Sequence, residues 1–99
     1  MSHADDIKKS YDVLLRCTTI NHYVIECLRE KAVIDRMQEA ELKAERNNSL
    51  EQRLLLFEWL RDVSSEQYES FLNVMKDTEQ EHVENLLRGS TEGRPTYVG

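Results

Sequence analysis

Between Met1 and Arg88 the chain has no glycine and no proline; its three glycines and one proline are Gly89, Gly93, Gly99 and Pro95. No residue in that span forces a helix to end through its own backbone, so breaks between helices must come from side chains that cap them. Cap signals are frequent. Asp5 or Asp6 opens a first segment with Ile7, Tyr11, Leu14, Leu15 and Thr18 on one face and Lys8, Lys9, Asp12 and Arg16 turned away. A second segment starts near Asn21, carries Ile20, Tyr23, Val24, Cys27 and Leu28, and ends in Arg29-Glu30-Lys31. Asp35 with Gln38 three residues later makes a capping pair for a weakly apolar third segment holding Met37, Ala40, Leu42 and Ala44.

The polar turn Asn47-Asn48-Ser49 follows, and Ser49 with Gln52 repeats the capping pattern before the most apolar stretch of the chain. There Leu55, Leu56 and Trp59 widen the stripe of Leu50, Leu54, Phe57 and Leu60 beyond one face, which predicts a helix touching neighbours on two sides. Ser64 or Ser65 caps the next segment, with Tyr68, Phe71, Leu72 and Met75 as its stripe. Thr78 and Glu81 are spaced to cap the last one, which carries Val83, Leu86 and Leu87. Strand alternation and internal repeats are absent, so the reading is all-α, with six short helices joined by tight turns.

At 99 residues there is room for one domain, placed at 1–89, with the aperiodic 90–99 stretch STEGRPTYVG as a flexible tail or the start of a linker. A net charge of -6 argues against nucleic acid, whose phosphates call for a basic patch. The longest apolar run, Leu54 to Phe57, is far too short for a membrane span, and the first residues lack a signal peptide's pattern. A cytoplasmic protein with reduced Cys17 and Cys27 is expected.

Sites for chemistry are hard to find. Cys17, His22 and Cys27 are each five residues apart, about 140° net around an ideal helix, so they do not converge and no metal is expected. With 19 carboxylates a chance pair on one face carries no information, and no phosphate loop, nucleophile elbow or metalloprotease motif occurs. The expectation is no catalysis and no cofactor. His82, in the first turn of the last helix, reads as structural or surface-exposed.

Three blocks carry a resemblance. Phe71, Leu72 and Met75, then Asp77, Thr78, Gln80, Glu81 and His82, then Val83, Leu86 and Leu87 resemble the last two helices of caspase recruitment domains, or CARDs. Upstream, Leu56-Phe57-Glu58-Trp59-Leu60 is similar to that family's fourth helix, and Ala32-Val33-Ile34-Asp35 to its entry to the third, at matching spacings. Three positions depart. Ala32 and Glu79 stand where the family often has Gly, and Asp62 to Ser64 occupy a turn where it has Arg-Gly; each loses a residue that tolerates left-handed backbone.

The resemblance implies a six-helix antiparallel Greek-key bundle of the death-fold type, without catalysis, that binds other CARDs. Such domains bring caspases, kinases and filament-forming adaptors together in apoptosis and innate immunity, often as helical assemblies. One common contact in the family sets a basic face of helices 1 and 4 against an acidic face of helices 2 and 3. The acidic candidates here are Glu26, Glu30, Asp35 and Glu39, with Glu41 and Glu45 nearby; the basic ones are Lys8, Lys9, Arg16, Arg53 and Arg61. The basic face is the weaker of the two, because Leu50 stands near a position the family fills with a basic residue and Asp12, Glu51 and Glu58 dilute it. Expected partners are a caspase, an adaptor or a second copy of this chain, with homo-oligomers as one outcome. Three alternatives stay open: an inhibitory decoy that binds once, a structural bundle unrelated to death-fold signalling, and ordinary solvated charges paired at i, i+4, such as Asp12 with Arg16. One of Leu54 and Leu55 should be partly exposed and could form a dry patch with Trp59.

Overall fold

The computed structural model describes residues 3–89, so the tail at 90–99 lies outside the described residues. Seven helices follow one another: α1 (His3–Lys9), α2 (Tyr11–Cys17), α3 (His22–Glu30), α4 (Arg36–Ala44), α5 (Ser49–Leu60), α6 (Ser65–Asp77) and α7 (Glu81–Gly89). The described residues contain no strand. The count exceeds the expected six because the first segment is two helices. Ser10, at φ -108 and ψ 16, interrupts it, although its N–H still donates to the Asp6 carbonyl and its carbonyl accepts from the Leu14 N–H. A small hydroxyl residue in mid-helix weakens the ladder locally, and the result is a bend that keeps Ile7 and Leu14 both fully buried.

Side-chain caps start α3, α4, α5 and α6, one of them shifted from the expected residue, and the expected cap of α7 does not form. Asn21 accepts from the Val24 N–H, while Asp35 with Gln38 and Ser64 with Gln67 each form a reciprocal capping box. Asn48, rather than Ser49, caps α5, accepting from the Glu51 N–H. Gln52 is thereby free to bury itself, and its Nε2 donates to the Leu42 carbonyl at 2.8 Å. Thr78 does not cap α7. Its hydroxyl donates back to the Val74 carbonyl at 2.7 Å, so it closes α6, and the expected box with Glu81 does not form.

Two helices stop without glycine in a motif that favours it. After α3, Val33 N–H bonds Leu28 O and Ala32 N–H bonds Arg29 O, with Ala32 at φ 62. After α6, Gln80 N–H bonds Met75 O and Glu79 N–H bonds Lys76 O, with Glu79 at φ 65. Both are Schellman stops, whose left-handed position is normally glycine. Among the described residues Ala32 and Glu79 are the non-glycine residues with positive φ; the Asp62 to Ser64 turn has none.

One core runs through the molecule. Leu28, Leu42, Leu56, Phe57, Leu60, Phe71, Met75 and Val83 are fully buried, and the Phe57 and Phe71 rings meet edge to face at 6.0 Å. Besides chain neighbours, α2 packs on α5 and α3 on α6. The α3 stripe is rotated from expectation: Ile25 is buried and Tyr23 is 61% exposed. Ile25 follows Val24 by about 100° and Tyr23 precedes it by the same angle, so burying Ile25 between neighbours turns Tyr23 outward. Met37 on α4 also faces solvent, which leaves Leu42 as that helix's buried residue.

Candidate interaction surfaces

The end of the core is locked by the polar step between α6 and α7. Gln80, 5% exposed, clasps the α2–α3 loop from both sides: its Oε1 accepts from the Thr19 N–H at 2.7 Å and its Nε2 donates to the Thr19 carbonyl at 2.9 Å. His82 Nε2 lies 2.8 Å from the Cys17 carbonyl and extends the clasp by one residue pair. A second amide makes one bond of this kind at the other left-handed turn, where Gln67 Nε2 donates to the Ala32 carbonyl at 3.1 Å. Both left-handed turns are therefore tied to a neighbouring element by a glutamine at the turn or across from it.

The acidic candidates are partly brought together. Glu26, Glu30 and Glu39 line one surface depression between α3 and α4, along with Tyr23, Cys27 and Arg29. Asp35, the N-cap of α4, does not line this depression, and one oxygen of its carboxylate accepts from the Gln38 N–H at 2.8 Å. Of the three that converge, Glu26 pairs with His22 at 2.8 Å, and Glu39 sits between Arg29 at 3.8 Å and Lys43 at 3.2 Å. Glu30 forms no ion pair among the described residues and is exposed. Its charge is the most available. Sequence reasoning placed Tyr23 in the core and so missed it as part of this surface; hydrogen bonding to Cys27 raises its phenol above the ordinary value, and Asp77 and Glu30 add to the effect. Asp77, on α6, thus contributes to the same negative field.

The basic candidates are more scattered. Lys8 and Lys9 are exposed on α1 and share a shallow depression with Asp5 and Asp6. Arg16 is exposed on α2, and its Nε donates to the Asp12 main-chain carbonyl at 3.4 Å in place of the expected carboxylate pair. Arg61 is exposed where it caps the end of α5. Arg53 differs. It is half-buried, donating from Nη1 to the Thr18 carbonyl at 3.4 Å, with its Nε enclosed and unbonded. Leu55 and Trp59 rest against the core and Leu54 is half-buried, so the exposed apolar residue of α5 is Leu50, at 49%.

Cys17 and Cys27 are free and half-buried, and no three His, Cys, Asp or Glu among the described residues could hold a metal ion. Among the described residues no helix is long and apolar enough to cross a membrane. What the surface offers is an acidic depression between α3 and α4, with Arg29 at its edge, and exposed basic residues on α1, α2 and the end of α5 interspersed with acidic ones. No protein-family model, curated protein or solved structure matches the chain.

Proposed function

We propose that this chain is a caspase recruitment domain, a non-catalytic cytoplasmic module that recruits or assembles signalling proteins by binding other CARDs or further copies of itself. The observation that carries the reading is the pair of left-handed stops at Ala32 and Glu79. These are two positions at which the CARD pattern often has glycine, so the backbone keeps the conformation that glycine would favour although another residue stands there. Two further features support it. The bent pair α1 and α2 counts as one helix of a six-helix bundle, and the packing of α2 on α5 and α3 on α6 suits an antiparallel Greek key.

In this mechanism the acidic depression between α3 and α4, led by Glu30 and Glu26, docks on Lys8, Lys9 and Arg16 of a second molecule, with Arg61 at the edge. Complementary charge orients the encounter and suppresses wrong pairings. Repeating the contact on each free face builds a helical oligomer. A one-sided variant has its own support, because Arg53 points inward to Thr18 and Leu50 holds an exposed position on α5. A domain with a good acidic face and a thin basic one binds once and stops growth, as an inhibitory decoy would.

Glu26→Arg tests the interface without touching the core. The expected result is association weakened by about tenfold or more, with added salt acting in the same direction. Assembly indifferent to both would sink the assignment.

A further inference from the structure

A second concavity lies where the α2–α3 loop, α3, the end of α4 and the start of α5 converge, and it borders the acidic depression through His22 and Lys43, the partners of Glu26 and Glu39. Its volume is about 280 Å³, the size of a small ligand or one large side chain. Ile20 and Ile25, both nearly fully buried, contribute its apolar lining. Its polar edge is biased toward donors. Asn21 has its Oδ1 committed to the Val24 N–H at 2.9 Å, which leaves its NH₂ as the free end of the amide. Arg46 is exposed and makes no ion pair among the described residues. Lys43 gives one contact to Glu39 at 3.2 Å and keeps further N–H groups. Gln52, 4% exposed, has its Nε2 fixed on the Leu42 carbonyl.

We propose that this cleft is a binding site for a carboxylate on a short aliphatic stem, with the carboxylate between Arg46 and Lys43 and the stem against Ile20 and Ile25. Charge-assisted donors select an anion, and a guanidinium fork suits the two oxygens of a carboxylate. The isoleucines select against inorganic phosphate, whose strongly hydrated charge would lose water against an apolar wall and gain nothing there. An alcohol or amine of the same length fails for the opposite reason, since neither satisfies the cations. The site shares the Lys43–Glu39 ion pair with the acidic depression, but its occupancy is read on the single chain, without association.

The probe is hexanoate, titrated into the isotopically labelled chain and followed at the Ile25 and Arg46 amides by NMR. Hexanol, hexylamine and inorganic phosphate are run in parallel, and N-acetylglutamate amide reports whether the carboxylate can arrive on a protein side chain. Saturable shifts confined to the cleft are expected with hexanoate, with Kd of about a millimolar for a ligand this small. Arg46→Glu and Lys43→Gln, both at the surface, should each weaken it by about tenfold or more while the rest of the spectrum stays folded. Tighter binding of the glutamate derivative than of hexanoate would assign the site to a partner's acidic side chain, and the reverse to a free acid. Absence of a saturable shift with both carboxylates, equal binding of hexanol, or an unchanged Kd in folded Arg46→Glu would overturn the proposal.

Discussion

Ala32 and Glu79 each hold a left-handed backbone that costs a residue with a Cβ about 1–2 kcal/mol. Glycine would remove that strain but adds freedom to the unfolded chain, worth about 0.4–1 kcal/mol in the other direction. Ala32→Gly and Glu79→Gly should therefore each stabilise the fold by roughly 0.5–1 kcal/mol, read from denaturant midpoints at unchanged slope. Destabilisation at either site would mean that the turn is held by something other than its backbone. Tyr68 provides a second test at this scale. Its ring stacks on His3 at 4.5 Å, its hydroxyl is enclosed without a hydrogen bond, and burial, helped by Asp6, pushes the phenol well above its ordinary range. A raised folded-state pKa means that stability is complete below the unfolded value of about 10 and falls as pH climbs beyond it. Tyr68→Phe should lose little or nothing at neutral pH and should lose less stability than the parent chain above about pH 10. Parallel alkaline melting curves for the two proteins would contradict this.

Elements were legible wherever a cap and a stripe agreed. Asp35 with Gln38 is a local device that forms as its spacing implies, and Ser64, one of two candidate caps, forms a second box with Gln67. Thr78 and Ser49 carry the same spacing and fail, because capping is decided by which hydroxyl or amide the chain geometry turns toward the free N–H groups. At Thr78 the Schellman stop of α6 draws the hydroxyl back to Val74, and at α5 Asn48 precedes Ser49 to the task. The bend at Ser10 was equally hidden, since the apolar face of α1 and α2 continues through it. The Tyr23 error has a different source: periodicity fixes a stripe's width, but which edge is buried depends on the neighbours, here α4 and α6. The caps also sort a structural role from an interface role. Asp35→Ala should cost about 1 kcal/mol of stability through the lost cap while leaving association intact in the folded protein. Weakened association of folded Asp35→Ala would return Asp35 to the interface.

Across the whole molecule the sequence announced an all-helical domain and two groups of charge, but not their assembly. Glu26, Glu30 and Glu39 converge because α3 and α4 pack side by side, whereas Arg53 leaves the opposite group because the end of α2 offers it a carbonyl. No pattern of residues along one helix contains that information. Gln80 and His82 illustrate the reverse case: both stood in a recognisable block, yet their work, holding Thr19 and Cys17 some sixty residues earlier, is visible only in three dimensions. The central claim is that the acidic face of one molecule meets the basic face of another. The most direct test is a charge-swap mixture followed by light scattering over rising concentration. The double variants Glu26→Arg/Glu30→Arg and Lys8→Glu/Lys9→Glu are made separately, each expected to fold and each impaired in association with itself, because both faces of each variant then carry the same sign. Mixed together, the two should regain association, because each restores the sign its partner lost. A parent chain that stays monomeric at every concentration, or two variants that assemble as the parent does, would contradict the account.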